Sequence, residues 1–421
     1  MSRELLKIFL LALLLRFVLA PLAHHSDVID PLNWGKNLEN FGFLGFYSRT
    51  IPDAGPPNYP PGFYYILAIN QWIYRLVKNI LWKINLGIPL FPSGFYLWFE
   101  SDLGRIFFNK LPAIFADLGI GYLIYLFVSQ IKNKKLGLIS LSLFLFSPPI
   151  WFNSAVWGQT ESLFAFPLLL SFYLLYRKRL ELAVVFLILS FLVKPTVILV
   201  LPIFAYWWLK DGNRKRLFGG AVLAITLFYI VHLPFNLRDT SSFILNLYQY
   251  NIREILGYLV ANAFNLWGLF FGFKPKVDSI LLLGIPAYAW GISLYVAFSL
   301  CLLSKLQKNK DPKIYFLSAA LLAFAGFLFL TRIHERYFYL TLLFLAPLTT
   351  VDKKLRNIFF LLSGVHFLNL YHFWWIPRIE ILINFLSFGD HLIPRILSFV
   401  NFLIMIYLFR YFLRQFKPSK L

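Results

Sequence analysis

The stretch Ile314-Tyr315-Phe316-Leu317-Ser318-Ala319-Ala320-Leu321-Leu322-Ala323-Phe324-Ala325-Gly326-Phe327-Leu328-Phe329-Leu330-Thr331 holds no charge, and Arg332-Ile333-His334-Glu335-Arg336-Tyr337 follows it at once. About 20 apolar residues in a helix cross the hydrocarbon of a bilayer. Positions 313–331 therefore read as a spanning helix, with a dense charged cluster at its end. Working outward, further spans are expected near 5–23, 105–129, 135–152, 158–176, 180–193, 195–209, 216–235, 279–303, 336–351, 355–372 and 392–412. With 313–331 they make about twelve, in a single domain over 1–421. The two short segments 180–193 and 195–209 share a break at Lys194-Pro195, where proline removes a backbone donor.

Composition agrees. The chain is 59% hydrophobic and 14% charged, with a mean hydropathy of +0.68, whereas soluble domains are about 45–50% apolar and about 25% charged. The fold class expected is an all-α polytopic membrane protein. The net charge of +21 is spread in short runs between apolar segments, such as Lys132-Asn133-Lys134-Lys135 and Arg214-Lys215-Arg216. This is the pattern of cytoplasmic loops. No basic domain remains to bind nucleic acid. The lone Cys301 excludes an intrachain disulfide and cysteine zinc patterns. A retained first membrane helix is favoured over a signal peptide, because Arg16 interrupts the first apolar run and Pro21 disfavours cleavage.

With the N-terminus inside, the basic runs at 132–135, 177–179, 210–216, 305–313, 353–356 and 414–420 all fall inside. Three outer loops result, 24–104, 151–161 and 236–278, with a further short outer stretch from Thr331 to Tyr337. The apolar run Phe63 to Leu81 is interrupted by Asn70, Gln71, Arg75 and Lys78. It reads as an amphipathic helix in the outer interface; the alternative is a hairpin of two further spans, 62–80 and 86–100.

The outer segments hold the chemistry. Asp27 follows the first span, where a carboxylate can take a proton from a hydroxyl or simply remain solvated. Asp30 before Pro31 reads as a helix cap. Asn58-Tyr59-Pro60-Pro61-Gly62 reads as a rigid turn, with Tyr59 placed to line a site. In Trp157-Gly158-Gln159-Thr160-Glu161, Glu161 suits a helix N-terminus, or joins Gln159 in binding a sugar or a cation. Lys194 at the helix break either snorkels or holds an anion. Arg332 and Arg336 break the positive-inside trend. With His334 they suit a phosphate, unless Glu335 pairs with one of them in a structural network. Asp117 and Arg16, inside spans, read as structural, with Lys110 or Arg105 as partners for Asp117.

Taken in order, Asp27 to Trp34, Tyr59 to Gly62, Lys110-Leu111-Pro112 with Asp117, Trp157-Gly158-Gln159 with Glu161, Lys194-Pro195, Asn262 to Trp267 and His334 to Tyr337 resemble the GT-C superfamily of membrane glycosyltransferases. The resemblance is nearest to prokaryotic mannosyltransferase-like proteins that use polyprenyl-phosphate sugars. It implies a GT-C-type bundle of about 12 transmembrane helices, with amphipathic helices in a long first outer loop. It also implies an inverting transfer of a hexose, with mannose favoured by analogy, from a polyprenyl-phosphate donor to an acceptor hydroxyl of a glycan, lipid or protein. The site would lie on the non-cytoplasmic face of the cell membrane. The role of base maps onto Asp27, and the phosphate cradle onto Arg332, His334, Arg336 and Lys194. Substrate contacts would come from Trp34, Tyr59, Trp157, Gln159, Glu161, Glu335 and Tyr337. Many relatives have Asp where this chain has Glu161. No metal or other cofactor is expected, because the leaving group bears a single phosphate. The other function weighed is a transporter or flippase of an anionic lipid-linked substrate, which calls for midplane charges and repeat symmetry.

Overall fold

A computed structural model describes residues 2–253, 257–306 and 311–416. It is built almost wholly of helices: α1 (Arg3–Leu19), α2 (Ile29–Phe41), α3 (Pro61–Gly87), α4 (Ser93–Glu100), α5 (Asp102–Ile131), α6 (Lys134–Leu145), α7 (Pro148–Trp151), α8 (Glu161–Tyr176), α9 (Leu180–Val193), α10 (Leu201–Asp211), α11 (Arg214–His232), α12 (Thr240–Arg253), α13 (Leu266–Phe271), α14 (Ala287–Lys305), α15 (Pro312–Phe329), α16 (Tyr339–Leu345), α17 (Lys353–Tyr371) and α18 (Glu380–Arg414). A two-residue antiparallel pair, β1 (Leu281–Leu282) and β2 (Ile285–Pro286), leads into α14.

Among the described residues, five helices are long and apolar enough to cross a membrane: α5, α11, α14, α15 and α18. The bent pair of α6 with the segment Pro148–Trp157 makes a sixth. This is consistent with a membrane protein, but it is fewer than the twelve spans read from hydropathy. Breaks in the chain account for the difference. Segment 135–152 bends by 55° before Pro148. Segment 195–209 opens as a 3-10 turn, Pro195–Val200. Segment 336–351 is a short helix between two 3-10 turns, the second containing Pro347. α8 and α9 are apolar but short.

The stretch that opened the sequence reading forms α15, and every residue from Ile314 to Leu328 is buried. A helix apolar all round is either enclosed by protein or faces lipid, and α15 is enclosed. α11 and α14 instead expose apolar residues such as Phe218, Ile225, Ile292 and Leu300.

The first loop is helical, as expected. Pro60 and Pro61 start α3, whose buried face carries Phe63, Tyr64, Leu67, Asn70 and Tyr74, while Ile69, Trp72, Leu76 and Ile80 are exposed. The hairpin of two spans is not formed, because α4 has only 8 residues, too short to cross hydrocarbon. Within the loop 151–161, Phe152–Trp157 is a π-helical turn continuing α7. Asp30 is not a cap, since α2 begins one residue earlier; its carboxylate accepts the Gly55 N–H at 3.0 Å.

Two buried ionic knots hold the helices. Arg16 of α1 donates to Asp117 of α5 at 3.0 Å and to the carbonyls of Ala12 and Leu145. Asp117 also accepts the hydroxyls of Ser154 (2.6 Å) and Tyr339 (3.0 Å). Arg16 and Asp117 are thus structural, as read, but they pair with each other rather than Asp117 with Lys110 or Arg105. Lys110 forms the second knot. Its Nζ lies 2.6–3.0 Å from the carbonyls of Ala20, Ala23, Ala155 and Val156. It therefore ties the end of α1 to the π-helical turn.

Removing one partner of a buried pair leaves the other charge uncompensated, at about 3–5 kcal/mol. Asp117→Leu is expected to destabilise the protein by that amount in equilibrium unfolding from mixed micelles. Adding Arg16→Met should recover most of the loss, since an apolar pair of similar volume replaces the ions.

Candidate functional site

The cluster forms where four chain breaks meet. His25 precedes a 3-10 turn, Ser26–Val28, and its backbone N–H donates to the Trp157 carbonyl at 2.9 Å. Gly158 ends the π-helical turn with φ +82°, and a Cβ there would lie 3.0 Å from Lys110 Cε and 3.1 Å from Val28 Cγ2. Glycine is thus required for both conformation and space. It turns the chain so that Gln159 points back to the first loop and α8 opens at Glu161. Lys194 ends α9 in extended backbone before Pro195, as the clash with a following proline ring dictates. Glu335 and Arg336 open a 3-10 turn beyond α15.

These breaks bring together residues far apart in sequence. Gln159 Nε2 donates to Asp27 Oδ2 at 3.0 Å. Arg336 lies among three carboxylates: its Nη1 is 3.6 Å from Asp27 Oδ2 and 3.5 Å from Glu335 Oε1, and its Nε is 3.6 Å from Glu161 Oε1. Lys194 pairs with Glu161, and its ammonium stands 4.8 Å from the centre of the Tyr337 ring. Asp27 is the accessible member, its side chain 43% exposed, whereas Glu161 and Glu335 are sealed.

Burial alone would push the Asp27 carboxyl up, but His25, the Arg336 charge and the Gln159 amide outweigh it and hold Asp27 well below the usual carboxylate range. Glu335 goes the other way: burial raises it, with Arg336 opposing. Its Oε2 has no hydrogen-bond partner among the described residues. Burial, reinforced by Arg336 and Lys194, pushes the His334 imidazole down to about 3, so this ring is neutral beside the two cations.

Other residues picked from the sequence lie elsewhere or play a packing role. Arg332 is outside the cluster. Its guanidinium grips Asp278 through Nε (2.6 Å) and Nη2 (3.1 Å), and Thr331 donates to the same carboxylate. The loop from Gly257 to Asp278 is thereby fixed to the end of α15. Trp34 is buried, donates to the Gly55 carbonyl and packs on Tyr59 and Tyr64. Trp157 is fully buried against His25. Tyr59 packs on Phe63, within electrostatic reach of Lys194 and Arg336. The Asn262 to Trp267 motif is structural: Asn265 caps α13, and Trp267 donates to the Phe329 carbonyl.

The sequence reading overlooked His25, although it stands two residues before Asp27. It also passed over Asp278, the only acid from Gly257 to Asp278, and Trp374, whose ring centre lies 4.0 Å from that of His25. Among the described residues, no group of three or more His, Cys, Asp or Glu is arranged to hold a metal ion.

An apolar groove of about 570 Å³ lies between α3, α8, α9 and the end of α11, lined by Gly62, Tyr65, Ile66, Phe166, Leu192 and Val193 among others. It abuts the cluster along the chain, since Val193 precedes Lys194 and the groove residue Leu163 follows Glu161 by two positions. Compared with known proteins, the chain matches no family model and no curated sequence.

His334 gives the folded state a pH dependence of defined sign. As pH falls below about 6.5 the unfolded imidazole takes a proton that the folded one refuses until about 3. Folding stability therefore declines over that window. His334→Gln should lose less thermal stability than the parent protein between pH 7 and 4.5.

Proposed function

We propose that the protein is a membrane glycosyltransferase of GT-C type, with about twelve spans once its short and broken helices are paired. It moves a hexose, mannose by analogy, from a polyprenyl phosphate to an acceptor hydroxyl, with inversion, on the non-cytoplasmic face of the cell membrane. The observation that carries this reading is one juxtaposition. A half-exposed carboxylate, Asp27, stands beside Arg336, which shares Glu161 with Lys194, and an apolar groove is lined by residues that flank Lys194 and Glu161 in the chain. A polyprenyl phosphate sugar has those parts: a long apolar tail, an anionic phosphate and a sugar carbon that a hydroxyl attacks.

In this reading Asp27 orients the acceptor hydroxyl and takes its proton, while Gln159 fixes the carboxylate through Oδ2. The bond from the anomeric carbon to the phosphate oxygen breaks, and the new negative charge is met by Arg336 and Lys194. Both cations already hold carboxylates, so the phosphate exchanges one anionic partner for another. Arg332 supports this machinery through Asp278 and does not touch the donor. The sequence reads its polar motifs toward one face rather than as paired midplane charges in two repeated halves, which favours transfer over translocation.

The test is to reconstitute the protein and supply polyprenyl-phosphate mannose, glucose or arabinose in turn, following sugar transfer or release. Asp27→Asn should reduce turnover about 10²–10⁴-fold, the usual contribution of a positioned base. Donor that crosses the bilayer with its glycosyl bond intact would instead establish a flippase.

A further inference from the structure

His25 has features that packing alone does not account for. Its ring is fully buried, between Trp157 (4.9 Å between ring centres) and Trp374 (4.0 Å). Its Nδ1 accepts the backbone N–H of Asp27 at 3.0 Å, so in this state Nδ1 carries a lone pair and the proton is on Nε2. The same Nδ1 lies 3.2 Å from Asp27 Oδ1. Two lone pairs at that distance attract only when a proton comes between them. The other nitrogen, Nε2, has no hydrogen-bond partner among the described residues. It keeps its proton throughout, and only Nδ1 can change state.

We propose that His25 Nδ1 stores the proton that Asp27 takes from the acceptor hydroxyl. The inference rests on the transferase reading above. The hydroxyl O–H bond breaks and its oxygen bonds the anomeric carbon. The electron pair of the old glycosyl bond leaves on the phosphate oxygen. The proton passes from the hydroxyl to Asp27, then to Nδ1, and the Asp27 backbone N–H gives up its acceptor.

Three observations support this assignment. Asp27 is reachable and His25 is not, their side chains being 43% and 0% exposed, so the carboxylate must make the first contact. The acidity of Asp27 owes most to the bond from a protonated Nδ1, so once the proton is on Nδ1 the carboxylate does not take it back. The imidazolium that forms is paired with the Asp27 carboxylate, 3.2 Å away. The titratable groups facing His25 are Asp27 and His24 on its own segment and Glu335 from the 3-10 turn after α15; Lys110 of α5 acts on the neighbouring His24. The π-helical turn and the segment after α17 present uncharged Trp157 and Trp374. His25 is thus a positioning residue that acts through Asp27.

The experiment uses the reconstituted full chain with polyprenyl-phosphate mannose, and nitrogen NMR of the ¹⁵N-histidine-labelled protein. His25→Gln should lower kcat at least 100-fold and leave the donor KM within about twofold. At neutral pH the parent protein should show His25 with bare Nδ1 and protonated Nε2. That resonance should move in Asp27→Asn, which identifies it even if His25→Gln fails to fold. Parent-like kcat in His25→Gln overturns the proposal, and so does a proton already on Nδ1 at neutral pH. A parent protein inactive on every polyprenyl-phosphate sugar counts against the transferase reading and, with it, the storage role. A bare Nδ1 then supports only the pairing geometry, and the two failures are told apart.

Discussion

The ammonium group of Lys110 reaches four backbone carbonyls, two at the end of α1 and two in the π-helical turn. Each segment ends with carbonyls that no helical N–H can satisfy, and burying them unpaired would be costly. One side chain from α5 meets both needs. His25 and Asp27 follow the first pair of carbonyls, and Trp157 to Gln159 follow the second. The register between the carboxylate and its glutamine partner therefore rests on a lysine that touches neither. Gly158 completes the arrangement, because any side chain there would strike the Lys110 stem.

The charge cluster obeys a similar constraint. Two cations and three carboxylates share a nearly closed space, and an unpaired buried charge is costly. Glu161 is committed to Lys194, Arg336 is divided among three acids, and Glu335 is raised by burial. The result is a site close to neutral overall whose individual groups are strongly polar. Within it, Asp27 is the one carboxylate of the three that is open to solvent.

Much of this was legible in the sequence. Long apolar runs disclosed the helices, and charges that broke the topological pattern marked Arg336 and its neighbours. Pro195 and the paired prolines at 60 and 61 marked real chain breaks. What was not legible depended on contacts between distant segments. Nothing local to Asp117 points to Arg16, 101 positions away, and nothing near Arg332 reveals that Asp278 holds it. Hydropathy also scores a run bent by proline like a straight one, so several of the spans it reads are short or broken helices here. Conversely, it could not tell α15, which faces protein everywhere, from α14, which does not.

The complete enclosure of α15 bears on how the molecule is assembled. A segment so apolar is at home in lipid as a single helix, and the change on joining its neighbours is from lipid tails to side chains of similar polarity. Hydrophobicity then supplies little drive for that step, and close fit must supply it. Ala319, Ala320, Ala323, Ala325 and Gly326 provide the fit, with Leu199 packed so tightly over Gly326 that a methyl group there would lie 2.7 Å from it. α15 thus acts as the mandrel around which the other helices close, and the charged turn at its end is carried into position by that closure.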